Sequence, residues 1–183
     1  MKYTYMVIAL ILTIPLIQAQ PFHPIDKSPL DIAYFPDNFA HDRSAGDAAL
    51  IRVIYSRPQK NGREIFGNLV PYGKVWRAGA NENTEIKLYR DATVSGKPLP
   101  AGTYSLFTIP DKNEWTIIFN HALDFWGAYS YDEAKDALRI KVPRVALTKP
   151  VEYFSILFQD NDNGGIVMKL AWDTTLIEVP FQF

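Results

Sequence analysis

The sequence predicts an all-β fold of the sandwich or jelly-roll kind, with roughly 8–10 strands and one or two short helical turns. Three observations carry this prediction. Apolar residues recur with period two or in short runs, Gly, Pro and Asn separate those runs, and helical periodicity is weak. Aromatic residues make up 14% of the chain and fall mostly within the runs, which suits inner faces packed against each other.

At the N-terminus, Lys2 precedes an apolar stretch from Val7 to Ile17, and Ala19 offers a small residue ahead of Gln20. A basic start, an apolar run of about 7–15 residues and a small-residue exit describe a secretory signal peptide. Pro15 and Gln18 interrupt the run before it reaches the roughly 20 residues a membrane anchor needs. Residues 1–19 are therefore expected to be a cleaved signal, leaving an exported, periplasmic or extracellular protein without a membrane anchor. Residues 20–47, with Pro21, Pro24, Pro29 and Pro36, read as an extended arm and loop, and Asp31 to Phe35 is a candidate edge strand.

Residues 48–183 are expected to form a single all-β domain, a size at which about 70% of the unfolded chain's surface can be buried. Strands are predicted at Ala49–Ser56, Thr84–Tyr89, Thr103–Ile109, Glu114–Asn120, Leu138–Val142, Tyr153–Gln159, Ile166–Trp172 and Thr175–Pro180. Pro110-Asp111-Lys112-Asn113 reads as a hairpin turn. Short helical turns are expected at Gly62–Leu69 and Asp132–Leu138.

Several chemistries are disfavoured. The chain has no cysteine, so disulfides, thiolate metal ligands and a catalytic thiol are excluded. Its net charge is −1, and loss of Lys2 lowers it by one; no basic block is present to bind nucleic acid. His23, His41 and His121 are too far apart to make a paired metal face. Asp160 to Gly165 has carboxylates at calcium-like spacing, but Gly164 and Ala171 occupy two ligand positions of the helix-loop-helix calcium motif. A hairpin loop explains that segment, and no cofactor or metal is expected. Neither a Gly-x-Ser-x-Gly elbow nor a phosphate-binding Gly-rich loop occurs, and Gly96-Lys97-Pro98 reads as a turn.

Residues 55–84 form an unusually long connection for a β domain, too aromatic to be disordered, with Phe66, Tyr72 and Trp76. They also gather Arg57, Arg63, Arg77, Asn81 and Glu82, polar groups that are costly to bury unpaired. Glu82 follows Arg77 across Gly79, so an Arg–carboxylate clasp is one reading of the loop. If Val75-Trp76-Arg77 is extended, Trp76 turns to the core and Arg77 to the polar side. Further along, Trp126, Tyr129 and Tyr131 are suited either to stack on a flat ligand or to cap a core.

These blocks carry a family resemblance. YSRPQKNGREIFG at 55–67, YGKVWRAGANENTEI at 72–86, AGTYSLFTIP at 101–110, WGAYSYDEAKD at 126–136, PVEYFSILF at 150–158 and AWDTTLIEVPF at 171–181 are its marks. The chain resembles the exported bacterial proteins grouped as the domain of unknown function 2911 family, from Lys27 onward. The resemblance implies a β-sandwich-like fold and export, and supplies no catalytic residues.

The favoured reading is a non-catalytic ligand-binding or interaction domain for a small polar ligand. Its candidate surface is Arg57, Arg77, Asn81 and Glu82 with Trp126 and Tyr131. The arginines would hold an anionic or polar group, Asn81 and Glu82 would hydrogen-bond, and the aromatics would stack. One rival is a hydrolase or isomerase with Glu82 as acid or base, partnered by Asp132 or Asp136. Another is a structural envelope protein tethered by residues 20–47.

Overall fold

The structure, a computed structural model, describes residues 22–37, 39–161 and 164–183. The expected signal segment lies outside the described residues. None of the described helices is long and apolar enough to cross a membrane.

Among the described residues nine strands form one open antiparallel sheet: β1 (Leu30–Phe35), β2 (Ile51–Ser56), β3 (Thr84–Leu88), β4 (Ala92–Val94), β5 (Lys97–Leu99), β6 (Gly102–Ile109), β7 (Glu114–Asn120), β8 (Asp136–Asp160) and β9 (Ile166–Gln182). Their order is β1-β2-β3-β6-β7-β8-β9-β4-β5. The all-β expectation holds, and β1 is the edge strand that its sequence suggested.

β3, and β2 as far as Tyr55, alternate buried and half-buried residues, the pattern of a strand with one face in the core. Ile51, Val53 and Tyr55 of β2 point inward with Ile86 and Leu88 of β3. β6 and β7 differ, since consecutive residues are buried on both faces. Their inner face carries Leu106, Trp115, Ile117 and Phe119; their outer face, with Phe107 and Ile118, lies outside the main core cluster.

β8 is the hinge of the topology. Its first part pairs with β7 from Glu114↔Pro143 to Asn120↔Asp136, and its second part pairs with β9 from Arg144↔Ile177 to Asp160↔Ile166. The register slips between Ala146 and Val151 and again before Ser155, around Lys149-Pro150. Proline removes one ladder donor, and the bulges absorb the mismatch and bend the strand. Tyr55 of β2 then reaches Ile156 of β8, donating to its carbonyl at 3.2 Å and accepting from its N–H at 3.0 Å.

Several expectations need correction. Residues 138–142 and 153–159 belong to one strand, as do 166–172 and 175–180, because bulges bend a ladder without ending it. β4 and β5 form a tight hairpin at Ser95-Gly96, both at positive φ, where the sequence suggested only a turn. Gly62–Leu69 makes turns and no helix, closed by a bridge between Phe66 and Val70. A 3-10 turn spans only Glu133–Lys135, N-capped by Asp132, because Asp136 already enters β8. A single helical turn, α1 (Phe39–Asp42), lies in the stretch expected to be loop.

The core gathers aromatic rings at the end where the long loop docks. Phe66 meets Trp115 at 4.8 Å, Trp76 meets Phe154 at 5.1 Å, and Trp76 stacks on Trp172 at 5.9 Å. Segment 160–165 joins β8 to β9, with the Asn161 N–H donating to the Gly165 carbonyl at 2.9 Å. Asp162 and Asn163 lie outside the described residues.

Candidate functional site

Residues 57–83 connect β2 to β3 without a strand or helix of their own, and pack down as their aromatic content required. Ile65, Val70, Trp76 and Ala78 are buried. Trp76 exchanges two backbone hydrogen bonds with Thr108, at 2.7 and 2.8 Å, so the loop adds one rung beside β6. Its indole donates to the Gly79 carbonyl at 3.1 Å. The ladder stops at that rung, and Trp76 and Arg77 both line one depression.

That depression has a volume of about 230 Å³ and lies between the loop and residues 128–129. Leu69, Val70, Pro71 and Val75 form apolar walls; Lys74, Arg77 and Tyr129 supply the polar groups. The Arg77 guanidinium is half-buried. Its Nε is buried without a hydrogen-bond partner, and the side chain forms no ion pair among the described residues. Burial lowers its pKa from the usual arginine value, opposed by the neighbouring Tyr129 phenol. An arginine remains cationic at neutral pH, so this is a partly desolvated charge without a counterion among the described residues.

The expected clasp between Arg77 and Glu82 does not form among the described residues. Ala78 and Asn81 take positive φ, 52° and 58°, and turn the chain between the two side chains. Glu82 instead bridges through its backbone to Trp126, and its exposed side chain lines a different depression with Asn83, Glu85 and Asp124. Asn81 contributes its backbone carbonyl, which accepts from the Gly127 N–H at 2.8 Å.

Arg57 is committed elsewhere. It donates to Asp31 at 2.9 Å, to Ser155 Oγ at 2.8 Å and to the Phe154 carbonyl at 3.2 Å, tying the edge strand to β8. Tyr131 packs edge-on against buried Phe107 at 5.3 Å and donates to Asp136 at 2.6 Å. Asp136 also accepts from Asn120 at 2.7 Å and faces Arg139 at 3.6 Å. Asp132 caps the 3-10 turn by accepting from the Ala134 N–H at 3.0 Å. Trp126 and Tyr129 are 62% and 86% exposed, so Tyr131 is the one of the three aromatics that serves as a cap.

Of the six residues singled out from sequence, only Arg77 lines the depression beside Trp76. Lys74 and Tyr129 complete it. Lys74 lay in the same polar loop three residues before Arg77, the one sequence signal that could have found it.

A family model described as Protein of unknown function (DUF2911) matches residues 38–181. No curated protein and no solved structure matches the chain.

Proposed function

This chain belongs to the DUF2911 family of proteins of unknown function, and we propose that it is a non-catalytic binding domain whose depression at Arg77 captures an anionic group of a small ligand. The half-buried guanidinium of Arg77, with a buried Nε that has no hydrogen-bond partner and no ion pair among the described residues, carries the reading. A desolvated cation without a counterion is a cost to the folded protein, and an incoming anion offsets it. Lys74, on the exposed rim, adds a second positive charge beside apolar walls.

The protein works outside the cytoplasm on this reading, supported by Lys2, the apolar run to Ile17 and Ala19. N-terminal sequencing of the secreted protein tests it: a start at Gln20 is expected, and an intact Met1 rejects it. The Tyr55–Ile156 contacts support a sandwich, with β2 lying over the second part of β8.

A thermal-shift screen of residues 20–183 against small anions tests the binding reading. A ligand at about 100 times its Kd adds roughly 2.7 kcal/mol of stability, a readable rise in Tm. The rise is expected in the wild type and not in a folded Arg77→Ala variant. Equal rises in both reject the site.

A second reading rests on the open position of Glu82 beside Asp124 and Glu85. Acid–base chemistry there requires a turnover that Glu82→Gln abolishes. Asp132 and Asp136 are engaged in the contacts described above, so Asp124 is the partner this version uses.

A further inference from the structure

Resting on the anion-binding reading, we propose that the ligand at Arg77 is a small carboxylic acid bearing a short branched or aromatic apolar group. Three features of the depression select this class.

The first is size. A volume of about 230 Å³ lies above the roughly 150 Å³ that takes a benzene ring and below the roughly 300–1,000 Å³ of sites for drug-sized ligands. A nucleotide or an oligosaccharide would extend well beyond it.

The second is the shape of the charge. Arginine offers its donors in a planar fork that matches a carboxylate's two oxygens; with Nε buried, the two terminal nitrogens of Arg77 are the ones left to form it. Lys74 stands in the same lining as a point charge free to reach one oxygen. Tyr129 offers a hydroxyl. A phosphate or sulfate carries no apolar group to cover Leu69, Val70, Pro71 and Val75, and leaves those walls unused.

The third is the walls themselves. Those same four side chains give an apolar tail a surface to cover, and Trp76 forms part of the lining while stacking on Trp172 at 5.9 Å. Each methylene buried there adds roughly fourfold to affinity. The carboxylate and the tail thus contribute separately, and the experiment separates them.

The full mature chain is titrated with 3-methylbutanoate, acetate, inorganic phosphate and 3-methylbutanamide, following the Trp76 indole N–H and Arg77 Nε–H resonances by NMR. We expect 3-methylbutanoate to bind at least tenfold more tightly than acetate or phosphate, and at least tenfold more tightly than its neutral amide. Arg77→Lys, which keeps the charge and loses the fork, should weaken it at least fivefold with Tm unchanged. If Arg77→Lys does not fold, Lys74→Met, which removes the second charge and keeps the fork, should weaken 3-methylbutanoate more than its amide, and equal weakening of the two overturns the inference. Acetate or phosphate binding as tightly as 3-methylbutanoate, with both lost in Arg77→Lys, overturns the carboxylic-acid inference and leaves an anion site standing. The amide binding as tightly as the acid, or no probe shifting either resonance, overturns the inference and the anion reading together.

Discussion

Arg57 and Arg77 belong to one loop, and their surroundings set them apart. Arg57 spends its donors on Asp31, Ser155 and the Phe154 carbonyl. Arg77 leaves a buried Nε without a partner. Arg57→Ala should therefore lower stability by about 1–2 kcal/mol, discounted because the Asp31 pair is partly solvated. Arg77→Ala should leave the unliganded Tm unchanged or slightly higher while removing the ligand-induced rise; paired urea and thermal-shift measurements read both. Tyr131 gives a pH signature. Burial, followed by its hydrogen bond to Asp136 and that residue's charge, holds its phenol well above the ordinary tyrosine value. The folded state keeps the proton longer than the unfolded state. The stabilisation is thus complete below pH 10 and is lost as pH rises through the alkaline range. Tyr131→Phe should show a shallower loss of stability above about pH 10 in urea titrations. An unchanged slope assigns that limb to other tyrosines, such as Tyr55 and Tyr104, whose values are also raised by burial.

Among the elements, the connection between β7 and β8 depends on the long loop for its position. Asn83 donates to Ser105 Oγ at 2.6 Å and accepts from the Phe125 N–H at 2.7 Å, and Ser105 donates to the Ala122 carbonyl at 2.5 Å. These bonds, with Gly127 N–H on the Asn81 carbonyl, bring Tyr129 to the edge of the Arg77 depression. Gly127 sits at φ 70°, and a Cβ there would lie 2.8 Å from the Tyr129 ring. Gly127→Ala should cost about 1–2 kcal/mol and displace Tyr129. It should also weaken anion binding more than Tyr129→Ala does, since the backbone moves as well. Calorimetric titration of the two variants checks the order. Strand signals were legible wherever a run was long enough to alternate, as in β2 and β3. β4 and β5 were missed because three residues cannot show a period. The clasp was misread because spacing along a loop carries no direction: positive φ at Ala78 and Asn81 sends Glu82 away from Arg77.

For the whole molecule, stability converges on the aromatic cluster where the long loop meets β7, β8 and β9. Trp76, Trp115, Phe154 and Trp172 are all nearly fully buried, and each touches at least two of the others or Phe66. Trp172→Ala should cost about 3–5 kcal/mol by leaving a cavity that rigid neighbours cannot fill. Because the loop contributes Phe66 and Trp76 to the same cluster, urea unfolding by fluorescence and by circular dichroism should remain coincident in that variant. A separate early fluorescence transition would place the loop outside the cooperative unit.

The all-β class, the edge strand, the packed-down loop and membership of the family were determined by the sequence alone, because side-chain alternation and local motif order are properties of neighbouring residues. The single open sheet, the shared long strands and the partners of Arg57 were decided by tertiary structure. Bulges and positive-φ turns change direction at isolated residues, and only the folded chain reveals which distant groups those turns bring together. Arg77 was readable as a residue that needed a partner; that it has none among the described residues became visible only when Glu82 was seen facing elsewhere.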